Sequence, residues 1–339
     1  MLYSILDLAP IIEGGDAALA FRNSLDIAQH AERWGYHRFW LAEHHNMPGI
    51  ASAATSVVIG YVAGGTKSIR VGAGGVMLPN HAPLVIAEQF GTLESLYPGR
   101  IDLALGRAPG TDHATARALR RFLGSSGETF PQDVMELMSY FAPVAANQRV
   151  RAVPGAGLTV PLYLLGSSDF SAQLAAELGL PFAFASHFAP DYLHAALHLY
   201  RTGFKPSAAL RQPHVIVGAS VFAAESEREA QQLATSSKLQ VLGMIRGHPR
   251  TLPPPVESMD GLWTPEEQAG IEHRLEYAAI GGRDTVREKL TQIAEQTAAD
   301  EIIITSQIYD HRARLRSFEI TAEIFAGLAS RRIKASARP

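Results

Sequence analysis

Residues 69–107 read IRVGAGGVMLPNHAPLVIAEQFGTLESLYPGRIDLALGR, and this stretch decides the fold. An extended run (Ile69–Leu78) is followed by a helical segment (Pro83–Tyr97) and a second extended run (Arg100–Gly106). A connection long enough to hold a helix makes the two strands parallel. The first strand carries Gly72, Gly74 and Gly75. Glycine within a strand marks a bulge or a close backbone approach. The second strand ends in Gly106-Arg107, so a cation arrives where a parallel strand meets its loop. Chemistry collects at that end of the strands in parallel α/β folds.

Upstream, Leu2–Leu8 reads as a buried strand and Asp16–Trp34 as a helix, capped by Asp16 and ended by Gly35. A second strand (Arg38–Ala42) runs into Glu43-His44-His45-Asn46, and a small-residue helix (Ser52–Ala63) follows. Downstream come a polar loop (Ala108–Asp112), helical segments at Ala114–Phe122 and Gln132–Phe141, and an irregular connection (Gln148–Pro161). The fifth strand, Leu162–Leu165, leads through Gly166-Ser167-Ser168-Asp169 into an alanine-rich helix ending at Leu178. Strand six (Phe182–Ala185), a helix (Asp191–Tyr200) and strand seven (His214–Ala223) continue the alternation. A helix (Asp284–Thr297), strand eight (Glu301–Thr305), a last helix (Leu315–Ala329) and a basic tail (Arg331–Pro339) complete it.

Lys238–Gly282 breaks this rhythm with Pro253-Pro254-Pro255 and several turn signals, and it is too long for an ordinary connection. It reads as an insertion, either a lid over the site or a surface excursion. Eight strands alternating with helices predict a (β/α)8 TIM barrel with an insertion after strand 7. A doubly wound open sheet would alternate too. No linker divides the chain, so one domain over residues 1–339 is expected, with the insertion at about 238–282.

The chain has 339 residues, a formal net charge of −3 and no cysteine. That charge gives no reason to expect nucleic acid or an anionic membrane. Without cysteine there is no disulfide, thiolate metal site or cysteine nucleophile. MLYSILDLAP has no basic flank and holds Asp7 within its apolar run, unlike a signal peptide, and no apolar run reaches bilayer length. A cytoplasmic protein is the expectation.

Strand ends supply Asp7, His44, His45, Leu78, Arg107, Ser167, Ser168, His187 and Ser306-Gln307. No carboxylate pair dominates, which argues against glycoside hydrolysis. Hydroxyls and N–H groups at a helix N-terminus, as at residues 166–169, make an anion site. Simple N-capping by Ser168 or Asp169 explains the same residues. Adjacent side chains such as His44 and His45 diverge, so they do not read as a chelating pair, and no His-Glu-x-x-His pattern occurs. No metal is expected.

Arg70-Val71-Gly72, Val76-Met77-Leu78-Pro79, Pro83…Ala87-Glu88 and Gly99-Arg100…Gly106-Arg107 together resemble the bacterial luciferase-like family of flavin-dependent monooxygenases. The resemblance extends to Trp40-Leu41-Ala42-Glu43-His44-His45 and to Ala175-Ala176-Glu177-Leu178-Gly179-Leu180-Pro181. It implies the barrel, and FMN bound in its reduced form, FMNH2. Arg107, Ser167, Ser168 and Ser171 would hold the phosphate, and a non-prolyl cis peptide at Gly74-Gly75 would lie beneath the flavin ring. His44 would be catalytic, and His45 would lie near the ring. Luciferases carry a carboxylate in place of Ser167, a departure that bears on the phosphate contacts, and a reactive cysteine in place of Gly106, a departure that implies a non-luminous relative. The resemblance further implies a homodimer through the helices after strands two and three, and a separate flavin reductase as electron donor.

The expected activity is an FMN-dependent monooxygenase using reduced flavin and O2 on a small organic substrate. Three rivals stand beside it: a deazaflavin-dependent oxidoreductase, a non-enzymatic flavin-binding barrel, and a phosphate-binding barrel enzyme that takes no flavin.

Overall fold

The computed structural model describes residues 1–108, 110–119 and 128–336. In chain order the elements are β1 (Leu2–Asp7), α1 (Ala17–Trp34), β2 (Arg38–Leu41), α2 (Thr55–Gly64), β3 (Arg70–Met77), α3 (Pro83–Leu96) and β4 (Ile101–Gly106). Next come α4 (His113–Leu119), α5 (Phe130–Phe141), β5 (Leu162–Gly166), α6 (Asp169–Leu178), β6 (Phe182–Phe184), α7 (Leu193–Gly203) and β7 (Val215–Ala223). The last are α8 (Glu227–Ile245), α9 (Pro265–Arg274), β8 (Ala278–Gly281), α10 (Arg283–Thr297), β9 (Glu301–Thr305) and α11 (His311–Ser336). Residues 120–122 of the expected fourth helix, residue 109 of the loop before it, and residues 337–339 of the tail lie outside the described residues.

Every neighbouring pair of strands is parallel. β1 through β7 pair in sequence, and β9 pairs with both β7 and β1, which closes an eight-stranded ring. This is the (β/α)8 barrel, with an insertion after strand seven. β8 lies outside the ring along the end of β7, where Ser220 pairs with Ala278 and Ala223 with Gly281.

Local signals account for several element ends. Asp16 accepts the Leu19 N–H at 2.7 Å, and Gly35 ends α1 at φ 80°. α8 begins earlier than the sequence reading of this region allows, so Lys238 is mid-helix and the chain leaves the barrel's rhythm only after Ile245. The signal was Ser226-Glu227-Arg228-Glu229: Ser226 accepts the Glu229 N–H at 3.2 Å, and both glutamates lie in the first turn. α9 opens on Thr264-Pro265-Glu266-Glu267 with a complete capping box. α2 starts at Thr55 rather than Ser52, because the Ser52 hydroxyl is bonded to the Ala42 and Leu8 carbonyls. α11 starts at His311 rather than Leu315, with Asp310 accepting the Ala313 N–H at 2.8 Å.

A strand's period of two divides the apolar residues between two cores. Ile5, Phe39, Leu41, Val71, Leu103 and Val217 face the helical shell. Leu6, Trp40, Ala42, Ala104, Tyr163, Ala183, Ile216 and Ile303 face the barrel axis. Beneath them, at the N-terminal end of the axis, lies a charged plug. Buried Arg38 donates to Asp102 at 2.7 Å, Glu301 at 2.9 Å and the Tyr163 hydroxyl at 2.7 Å. Trp40 Nε1 donates to Asp102, Ser4 to Glu301, and Arg70 reaches Asp102 from outside. The plug leaves the C-terminal end of the axis for a site.

Candidate active site

A cavity of about 240 Å3 opens at the C-terminal end of the barrel. Its floor is formed at or near the C-terminal ends of the strands by Leu6, Ala42, Gly74, Leu165, Ala185, Ser220 and Thr305. Met47 to Ile50 form one wall. Gln240, Val241 and Met244 of α8, with Arg274 and Leu275 at the end of α9, form another. Residues of 238–282 therefore line the mouth.

Gly74 and Gly75 are joined by a cis peptide bond, and the β3–β4 register shifts between Gly74 and Val76. A Cβ on Gly74 would stand 2.8 Å from Trp40 and 2.9 Å from Leu6, and one on Gly75 would stand 2.6 Å from the Ala104 carbonyl. Packing thus requires both glycines. Gly74 nevertheless presents bare backbone to the cavity.

His44 lines this cavity, and its Nδ1 lies 3.3 Å from the Gly110 carbonyl. A carbonyl only accepts, so Nδ1 carries the proton and Nε2 keeps its lone pair when the ring is neutral. Burial pulls the His44 pKa below the ordinary imidazole value, and His45 and Arg274 add to this against the Gly110 carbonyl and Glu43. The result is a base that stays neutral below the usual imidazole range.

His45 points elsewhere. Its Nε2–H donates to Glu43 Oε1 at 2.8 Å, and His81 Nε2–H reaches the same oxygen at 2.8 Å. Glu43 Oε2 accepts the Met77 N–H at 3.1 Å. Burial pushes the Glu43 carboxyl up, but the bonds from His81, His45 and Met77 outweigh it, and the net shift is downward. The potential ligand atoms of Glu43, His45 and His81 lie within 4.8 Å of one another, a closeness that two N–H groups donating to one carboxylate oxygen require. This cluster ties the end of β2 to the end of β3, and it buttresses the turn that carries His44.

His187 also borders the cavity. Burial, with help from Arg274 and His44, lowers its pKa to about 3, so it is neutral. Its Nδ1 and the Thr305 hydroxyl are buried polar atoms with no partner among the described residues. Such atoms are rare in native interiors, and a bound polar group would satisfy them. Asp7 is not free for chemistry. It is buried, and it accepts from Ser24 at 2.5 Å and from Arg314 at 2.6 Å.

The anion candidates lie at the ends of β4 and β5 and in the start of α6. Gly106 pairs with Leu165 across β4 and β5, so Arg107 and Ser167 leave adjacent strand ends. The Arg107 guanidinium stacks over the Phe170 ring at 4.2 Å in the first turn of α6. Ser168 sits at the N-cap but makes no capping bond, while Asp169 Oδ1 accepts the Phe170 N–H at 2.8 Å. Ser171 is buried against Gly166. Arg107, Ser167, Ser168 and Ser171 are not among the residues lining the cavity.

A sequence profile described as luciferase-like monooxygenase matches residues 1–301. A protein named luciferase-like monooxygenase from Escherichia coli (strain K12) is 56% identical over 322 residues, covering 95% of this chain and 96% of that protein. The chain belongs to the luciferase-like monooxygenase family. Among solved structures, apo-MsnO8 matches with a TM-score of 0.90 at 37% identity, over 96% of this chain and 98% of that one. The oxygenating constituent of 3,6-diketocamphane monooxygenase from Pseudomonas putida, solved in complex with FMN, shares the fold. Its TM-score is 0.69 at 18% identity, over 95% of this chain and 96% of that one.

As a luciferase-like monooxygenase, the protein is an oxidoreductase. Among the described residues no helix is long and apolar enough to cross a membrane. Sequence reasoning did not single out His81, Phe170 or Arg274 in this luciferase-like site. Phe170 was detectable as the residue following the Gly166–Asp169 turn. His81 meets Glu43 only after the chain has passed through β3, and Arg274 lies in the segment with no strand rhythm to place it.

Proposed function

We propose that this luciferase-like monooxygenase uses reduced FMN and O2 to oxidise a small organic substrate, with FMNH2 delivered by a separate flavin reductase. The observation that carries the reading is the open start of α6. There Arg107 lies on Phe170, the Ser168 hydroxyl makes no capping bond, and a cavity floored by bare Gly74 backbone adjoins. This donor set fits FMN. Arg107, Ser167, Ser168 and Ser171 would hold the phosphate, with the helix N-terminus favouring its charge. The Gly74-Gly75 backbone would support the ring, and the partnerless His187 Nδ1 and Thr305 hydroxyl border the cavity that would receive it.

Reduced FMN, when bound, supplies the electrons that activate O2. The chain's own residues do the rest. His44 Nε2 takes or holds a proton near the reacting oxygen, while the Gly110 carbonyl fixes its tautomer. Glu43, through His45, His81 and the Met77 N–H, fixes the backbone that presents His44. The apolar walls exclude water. The compartment in this reading is the cytoplasm, where the reductase would meet the enzyme.

Arg107→Ala tests the phosphate assignment. Loss of a charge-assisted phosphate contact should weaken FMN roughly ten- to a hundredfold while riboflavin, which has no phosphate, changes little. Fluorescence titration with both flavins reads the difference. Equal losses would make Arg107 a structural residue.

We also propose a homodimer through α2 and α3. Val57 and Tyr61 of α2 and Val85 and Leu96 of α3 are exposed apolar side chains, and such a patch marks an interaction surface. Ala63, by contrast, faces the core. Sedimentation at micromolar concentration should give a dimer, and Val57→Lys with Leu96→Lys should shift it to monomer. A wild-type monomer under those conditions would contradict the interface.

A further inference from the structure

We propose that Arg274 is a substrate anchor and that the enzyme takes an amphipathic carboxylate, an apolar body ending in one acid group. The proposal rests on the monooxygenase reading of the same cavity and adds the chemical class of its substrate. Arg274 is the last residue of α9 and lines the mouth of the cavity. Its guanidinium lies over the Phe188 ring at 5.4 Å. Among the described residues it has no hydrogen bond and no ion pair. The second arginine of the lining, Arg250, differs on this point, since Glu13 neutralises it at 2.6 Å. Burial alone pulls the Arg274 pKa down, and no carboxylate offsets it.

A half-buried guanidinium with five donors and no acceptor is costly unless a ligand completes it. The C-terminus of α9 accounts for part of its placement, because the helix dipole favours a cation there. His273, in the same turn, bonds outward to Asp191 at 2.6 Å. The dipole leaves the guanidinium donors unmatched. Around Arg274 the groups that face the cavity are neutral: His44 and His187 are both held in the uncharged form. Met47, Ile50, Val241, Met244 and Leu275 supply an apolar surface beside it. A planar fork next to an apolar wall matches a carboxylate bidentately and covers the attached hydrocarbon. The phosphate candidates at Arg107 and Ser168 lie outside this lining, so the two cations serve different anions.

Octanoate and its neutral isostere octanamide are suitable probes, titrated by calorimetry into wild type, Arg274→Met and Arg274→Lys. Wild type should bind octanoate roughly ten- to a hundredfold more tightly than octanamide. Arg274→Met should lose that preference with octanamide affinity unchanged, and Arg274→Lys should keep part of it. FMN affinity, measured separately by fluorescence, should be the same in all three proteins, which also checks that the variants fold. Equal binding of the two probes to wild type would overturn the proposal, as would a preference that survives in Arg274→Met. A tenfold loss of FMN affinity in Arg274→Met with the preference intact would assign the residue to the cofactor instead. If no protein bound FMN while wild type still preferred octanoate, the FMN reading would fail and the carboxylate site would stand.

Discussion

His44→Ala is expected to bind FMNH2 within a few fold of wild type and to lose product formation by roughly 10²–10⁴, the range for a missing general acid–base. The expectation follows from where the ring sits. Its Nδ1 is occupied by the Gly110 carbonyl, which leaves Nε2 as the basic atom, and the side chain borders the cavity floored by Gly74. Removal of the imidazole should leave the Arg107 and α6 donors intact, so binding and chemistry should separate. Anaerobic titration with FMNH2 measures the first, and product and hydrogen peroxide after mixing with O2 and candidate substrates measure the second. The variant should release hydrogen peroxide where wild type transfers oxygen. The pH profile carries a sign as well. The His44 pKa is lowered, so the neutral base persists as pH falls, and the acid limb of wild-type activity should lie below the ordinary imidazole value of about 6.5. An affinity loss in proportion to activity would make His44 a cofactor contact, and no change in either quantity would make it a bystander.

Arg38→Met should destabilise the barrel by about 3–5 kcal/mol, the cost of stranding buried charges. Arg38, Asp102 and Glu301 are all buried at the closed end of the axis. In the native protein, burial pushes the Glu301 carboxyl up, but His214, Arg38 and Ser4 outweigh it and hold it below its ordinary value. A carboxylate with a lowered folded pKa stabilises the fold above its unfolded value of about 4.3 and loses that contribution as pH falls through the folded one. Loss of Arg38 removes part of that lowering. The variant's deficit should therefore be largest near neutral pH and shrink in acid, where Glu301 can take up a proton. Denaturant unfolding at pH 7.5 and at successively lower pH reads this directly. Adding Asp102→Asn and Glu301→Gln to Arg38→Met should recover part of the loss. A deficit independent of pH would mean that lost packing, not charge, sets the cost.

The strand order was legible because it is local. Ile69–Arg107 alone specifies a parallel crossover, and repetition of that unit along the chain leaves few closed arrangements. Asp16, Gly35 and the Gly166–Asp169 turn were readable for the same reason, since a cap and its helix are neighbours in sequence. The charged plug was not. Arg38 opens an otherwise apolar strand, and its partners Asp102 and Glu301 are 64 and 263 residues away, so only closure of the barrel brings them together. Arg274 was hidden for a related reason, because α9 is placed by packing against α8 through Leu242, Met259 and Ile271. The extent of α8 was a different case: Ser226 and Glu229 spelled its start, but the triple proline beyond it drew the boundary too early. His44 and Gly74 were picked from strand ends, and the barrel sets both on one cavity. His45 was picked with them, yet a single-residue step turns it to Glu43 and His81.

Flavin binding is the point on which the functional account turns. Titrating the flavin-free protein with FMN, and anaerobically with FMNH2, while following the flavin spectrum tests it most directly. A saturable perturbation of both spectra at one flavin per chain is expected, with FMN binding much weakened in Arg107→Ala. A flavin spectrum that stays unchanged as protein is added to excess would contradict it.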